Sequence, residues 1–193
     1  ICPSVSKHYD ILEGLISSGK LPCELSALKH ALGRPNTHML LGSAPVGPTT
    51  VERLQKYTGK LPVVRFGSTE TCLQVCGTPL SLSEEQRLEC FRRGWGNEYN
   101  GKAENGYYIG QHHEGNTEVK VVYSTTRGEQ KYMQEVPEGC PGLLITRGAN
   151  VMSAYVDNAE ATANVLHDVT DGEHPWYTNL GDMVFWLKNS HNG

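Results

Sequence analysis

Behind the apolar run Leu61–Val64, the stretch RFGSTETC, Arg65 to Cys72, presents a glycine, two hydroxylated residues and a carboxylate in succession. The hydroxyls and backbone N–H groups of Ser68 and Thr69 suit a phosphate oxygen. Glu70 suits a magnesium ion bridging phosphates, and Phe66 suits stacking on a flat base. A bare turn uses the same residue types for shape alone, so the company of the stretch has to decide. Upstream, GSAPV, Gly42 to Val46, follows another apolar run, and its small residues let the backbone approach a ligand closely. Downstream lie GLLITRGANVMSAYVDNAEAT, Gly142 to Thr162, and WYTNLGD, Trp176 to Asp182.

Other constellations read as structural. GLISSGKL, Gly14 to Leu21, has the glycine–lysine spacing of a phosphate loop, but it lacks the following Ser or Thr and meets Pro22 at once. It reads as a helix end with a surface lysine. His112 and His113 are sequence neighbours whose side chains point apart, which suits a solvated turn better than a shared metal. Trp95, Tyr99, Tyr107 and Tyr108 could line a ligand pocket, but aromatics of this kind more often pack a seam between subdomains. Ser43 has no G-x-S-x-G turn around it and so is no nucleophile. Glu84, Glu85 and Glu89 near Arg87 read as a solvated helix face.

The elements that must position these residues alternate in type. Amphipathic stretches at Tyr9–Ser17 and Glu24–Leu32 predict helices, and His38–Leu41 predicts a strand. A helix beginning near Val51, capped by Thr49 or Thr50, ends at Gly59 in a left-handed cap, and LPVVRF is the next buried strand. This strand–helix–strand unit predicts a parallel sheet whose ligands gather at the strands' carboxyl ends. Beyond Leu80 the pattern predicts a helix at Ser83–Arg93, strands at Glu118–Ser124, Lys131–Glu135, Gly142–Arg147 and Met183–Leu187, and a short helix at Ala159–Leu166. The predicted class is α/β: residues 1–78 a parallel-sheet βαβ portion, residues 79–193 a helix-containing connector and a strand-rich, barrel-like subdomain.

Composition excludes several function classes. The 193 residues carry a formal charge of -4, and the 17 basic residues are scattered, which argues against a nucleic-acid partner. Apolar runs fall far short of the roughly 20 residues that span a bilayer. The six cysteines, at 2, 23, 72, 76, 90 and 140, form no CxxC pair and read as reduced thiols of a cytoplasmic protein. A start without methionine and a stop inside what looks like a turn predict a piece of a longer chain.

Taken together, the four blocks, in this order and at these separations, resemble the adenylate-forming superfamily of acyl-CoA synthetases, peptide-synthetase adenylation domains and luciferase-like ligases. The resemblance runs from about His38 to Asp182 and implies a fragment of the large amino-terminal domain. It implies that Gly42, Ser43, Ala44 and Pro45 line the nucleotide and acyl pocket. Phe66, Gly67, Ser68, Thr69 and Glu70 would stack on adenine, contact the α-phosphate and hold Mg2+ through Glu70. Asp182 would clamp the ribose. Gly142, Leu144, Arg147, Gly148, Val151 and Tyr155 match the third block. Phe66 replaces the commoner tyrosine, Leu143 stands where glutamate is usual and Ala154 where glycine is, and Thr178 has no assigned role.

The resemblance implies a two-step ligase. A carboxylate attacks the α-phosphate of ATP to give acyl-AMP and pyrophosphate, and a thiol, CoA being the expected acceptor, then takes the acyl group. Thr69 and Glu70 are the expected catalytic residues, and a small carboxylic acid the expected substrate. The family's phosphate loop and carboxyl-terminal lysine domain have no counterpart in this sequence, so the isolated piece is expected to turn over little or not at all. The alternatives are a non-catalytic acyl- or nucleotide-binding or scaffolding module and a peptide-synthetase adenylation domain.

Overall fold

A computed structural model describes residues 2–72, 74–115, 117–167 and 174–188. Strand β1 (Cys2–Ser4), helices α1 (Ser6–Ser17) and α2 (Leu25–Leu32), β2 (Met39–Leu41), α3 (Pro48–Thr58), β3 (Val63–Phe66), β4 (Cys76–Gly77) and α4 (Glu84–Trp95) come first. Then follow β5 (Glu98–Tyr99), β6 (Lys102–Ala103), β7 (Gln111–His112), β8 (Thr117–Val122), β9 (Gly142–Gly148), α5 (Ala159–Val165), β10 (Leu166–His167), β11 (Trp176–Tyr177) and β12 (Met183–Val184). Contacts divide the chain into two compact units. Residues 1–65, 77–95 and 107–110 form the first, and residues 66–76, 96–106 and 111–193 the second.

In the first unit β1, β2 and β3 run parallel, with Cys2 opposite Met39 and Leu41 opposite Val64. The predicted strand–helix–strand order is therefore present. Helix α3 starts one turn earlier than its hydroxyl residues suggested. Gly47 is the cap and Pro48 occupies the first turn, where its missing N–H removes no helical bond, so Thr49 and Thr50 lie inside the helix. Gly59 ends it at φ 70°, donating its N–H to the Gln55 carbonyl at 2.8 Å. Tyr9, Met39, Leu41, Val51, Leu54 and Phe91 close the core under this sheet. Trp95 and Tyr108 pack against Phe91, with ring centroids 5.6 and 5.3 Å away, so these two aromatics serve the core.

The second unit is built on β9. β8 pairs antiparallel along one edge, from Thr117 opposite Gly148 to Val122 opposite Leu143. On the other edge β11 meets Thr146 and β12 meets Leu143 and Gly142. Val122, Ile145 and Trp176 form its small core. The strand predicted over Lys131–Glu135 is absent. Met133 takes a left-handed φ of 56°, which an extended run cannot accommodate, and only bridges at Tyr132 and Glu135 remain. The strand predicted from Met183 stops at Val184.

Candidate functional site

The parallel strands deliver the candidate loops at their carboxyl ends. In the first unit β2 ends at Leu41 and releases Gly42, whose backbone crowds Arg65 so closely that a Cβ there would sit 3.0 Å from the Arg65 carbonyl oxygen. Ser43, Ala44 and Pro45 follow, exposed, before Val46 returns to the core. Ser43 holds a left-handed φ of 63°.

In the second unit Phe66, half-buried, opens the loop, with Gly67 and Thr69 exposed. A single 3-10 turn, Thr69–Thr71, follows. Thr71 Oγ1 accepts the Ser68 N–H at 2.9 Å, and Cys72 ends the turn at φ 49°. Among the described residues, two of the five non-glycine residues with left-handed backbone, Ser43 and Cys72, thus lie in or beside the candidate loops; strain of this kind concentrates at ligand sites.

Four side chains of this unit converge. The Tyr155 hydroxyl donates to Glu70 Oε1 at 3.0 Å. Tyr177, 1% exposed, lies beside both and donates its own hydroxyl to the Asn179 carbonyl at 2.8 Å. Ser68 Oγ is buried near Glu70 and Tyr177, and among the described residues no hydrogen bond of good geometry satisfies it. Glu70's own backbone amide holds its carboxyl below the usual carboxylate range against the opposing effect of burial, and the Ser68 and Tyr155 hydroxyls lower it further. Burial pushes both phenols up, so at neutral pH the cluster is one carboxylate among neutral hydroxyls.

Such a carboxylate fits a hard cation. Magnesium is commonly held through one or two carboxylates plus substrate phosphates rather than a protein cage. Among the described residues no three metal-ligating side chains cluster. His113 instead contacts Gln74 Nε2 at 2.5 Å.

Asp182 also belongs to the second unit. It is exposed, directly after Gly181 at φ 80° and directly before the β12 pairing. Sequence reasoning gave Asn150 no role. Its amide donates to the Thr71 and Gln74 carbonyls at 3.2 and 3.1 Å, clasping the chain just after Glu70, and nothing in its local sequence signals this. Tyr155 and Tyr177 lay inside the matched blocks without an assigned task; their position there was the available signal.

The sequence matches the family model described as AMP-binding enzyme over residues 4–156. No curated protein matches it. Among solved structures it is similar to the adenylation domain of a keto acid-selecting NRPS module bound to keto acyl adenylate, with TM-score 0.62 and 17% identity over 97% of this chain and 34% of that one. It is also similar to the ATP-bound RpMatB-BxBclM chimera B1, with TM-score 0.59 and 18% identity over 95% of this chain and 28% of that one. A third likeness is o-succinylbenzoate CoA synthetase (MenE) from Bacillus subtilis in complex with the acyl-adenylate intermediate OSB-AMP, with TM-score 0.55 and 19% identity over 95% and 28%. At these identities the likeness is one of fold: the parallel sheet with a further antiparallel sheet is that of the large domain of adenylate-forming enzymes. The chain spans about a third or less of the length of these structures.

Proposed function

Because the chain belongs to the AMP-binding enzyme family, we propose that it forms part of the large domain of an ATP-dependent ligase that activates a small carboxylic acid as acyl-AMP and passes it to a thiol. The observation that carries this is the loop after β3. It sets an anionic Glu70 beside the buried Ser68 hydroxyl, which is a cation holder next to a donor for a phosphate oxygen. Thr69, exposed at the head of the turn, is free to grip the α-phosphate. Phe66 takes the adenine face and Asp182 the ribose hydroxyls. Bound magnesium would neutralise charge developing on the transferring phosphoryl oxygens. The residues themselves contribute position and fixed dipoles, which suits a reaction with a good leaving group and no protein base.

CoA is the acceptor in this reading, in keeping with the o-succinylbenzoate CoA synthetase from Bacillus subtilis among the similar structures. A carrier-protein thiol is the second reading, favoured by the fold likeness to a peptide-synthetase adenylation domain at TM-score 0.62. The full-length protein should exchange pyrophosphate into ATP only when a carboxylic acid is supplied. Glu70→Gln should slow that exchange on the order of 10²-fold or more, the scale of losing one preorganised electrostatic group. Exchange independent of acid, or unchanged by Glu70→Gln, would leave a non-catalytic binding module as the better description. Adding CoA or a carrier protein to the acyl-AMP complex then separates the two acceptors.

A further inference from the structure

We propose that Tyr155 positions the Glu70 carboxylate for a metal–nucleotide complex, an inference that rests on the reading of Glu70 as the metal holder. Two separate bonds from one short segment fix Glu70. The Tyr155 hydroxyl donates to Oε1 at 3.0 Å, and the Met152 N–H donates to the Glu70 carbonyl at 2.7 Å. Backbone and side chain are thus clamped together, although the partners stand 85 residues apart.

The clamp is itself braced. Tyr155 N–H donates to Thr162 Oγ1 at 3.0 Å, and that hydroxyl donates to the Asn158 carbonyl at 2.8 Å. Asn158 caps α5 by accepting the Ala161 N–H at 3.0 Å. The neighbouring Tyr177 is buried and anchored through its own hydroxyl to Asn179. Tyr155 therefore approaches Glu70 from a helix start on one side and a buried ring on the other.

The chemistry of the donor is what singles it out. A lysine or arginine would orient Glu70 equally well, but its charge would pair with the carboxylate and compete with a cation. A phenol donates one hydrogen bond to one lone pair and leaves the negative charge intact. A glutamate fixed in this way has already given up rotamer freedom before any cation arrives. Partners of this kind, one bond removed from the metal, are worth about 10- to 100-fold in metal affinity or activity.

The test uses the full-length protein with Mn2+ as a paramagnetic stand-in for Mg2+. Water-proton relaxation gives the Mn2+ affinity in the presence of AMP, and calorimetry gives AMP affinity in excess chelator. Tyr155→Phe should weaken Mn2+ binding about 10- to 100-fold and leave metal-free AMP binding unchanged. In pyrophosphate exchange it should raise the Mg2+ concentration for half-maximal rate more than it lowers the rate at saturating Mg2+. Wild-type Mn2+ affinity in Tyr155→Phe, with Glu70→Gln weakened, overturns the positioning role and spares the metal reading. Wild-type Mn2+ affinity in Glu70→Gln overturns both. Loss of metal-free AMP binding in Tyr155→Phe marks a structural role and overturns the proposal as well.

Discussion

Burial pushes the Cys76 thiol up to about 12, while Cys23 and Cys72 are exposed. Since the thiolate is the reactive form, iodoacetamide at about pH 8.5 should label Cys23 and Cys72 and spare Cys76 until the protein unfolds, as peptide mass spectrometry would read. The same shift gives a direction in pH. The unfolded thiol loses its proton near 9 and the folded one near 12, so stability is unaffected below pH 9 and falls as pH rises through that window. The slope approaches about 1.4 kcal/mol per pH unit, and Cys76→Ala should flatten the alkaline limb of a urea titration. Glu70 has the opposite sign: its contribution is present above the ordinary carboxylate value and is lost as pH falls through its lower folded value. At this scale the sequence was readable where residue type and order sufficed, as with Gly67–Glu70 behind an apolar run. It was silent on Tyr155 reaching Glu70 and on Asn150 clasping Thr71 and Gln74, because those contacts span 76 to 85 residues and only the folded chain creates them.

Among the elements, two glycines separate backbone conformation from space. Gly110 has φ 96°, and a Cβ there would lie 2.2 Å from the Gly77 carbonyl carbon, so both causes act together. Gly115 has φ 78° with nothing within 4 Å of such a Cβ. Gly110→Ala should cost about 2–4 kcal/mol and Gly115→Ala about 1 kcal/mol, measured by urea unfolding. Comparable losses would mean that the crowding at Gly77 is relieved by a shift of the strand end. The long elements were legible because their signals are local: the apolar spacing of α1 and α2, and the Gly59 cap of α3. The missing strand over Lys131–Glu135 shows the limit. Met133 turns left-handed while its N–H donates to the Ser124 carbonyl at 2.9 Å, a partner no local pattern announces.

At the scale of the whole molecule, the described residues include one core around Leu54 and Phe91 and another around Ile145. Leu54→Ala and Ile145→Ala should each cost about 2–5 kcal/mol. Hydrogen exchange should show the loss of protection concentrated in α1 and α3 for the first variant and in β8 and β9 for the second. Uniform loss across the chain in both variants would mean that the two cores melt as one. Connectivity adds a consequence of its own. The chain passes between the units after Arg65, Cys76, Trp95, Gly106 and Gly110, so they are braided rather than strung in series. A protease that severs any one of these crossings frees neither half, and no contiguous stretch of the gene encodes either unit alone.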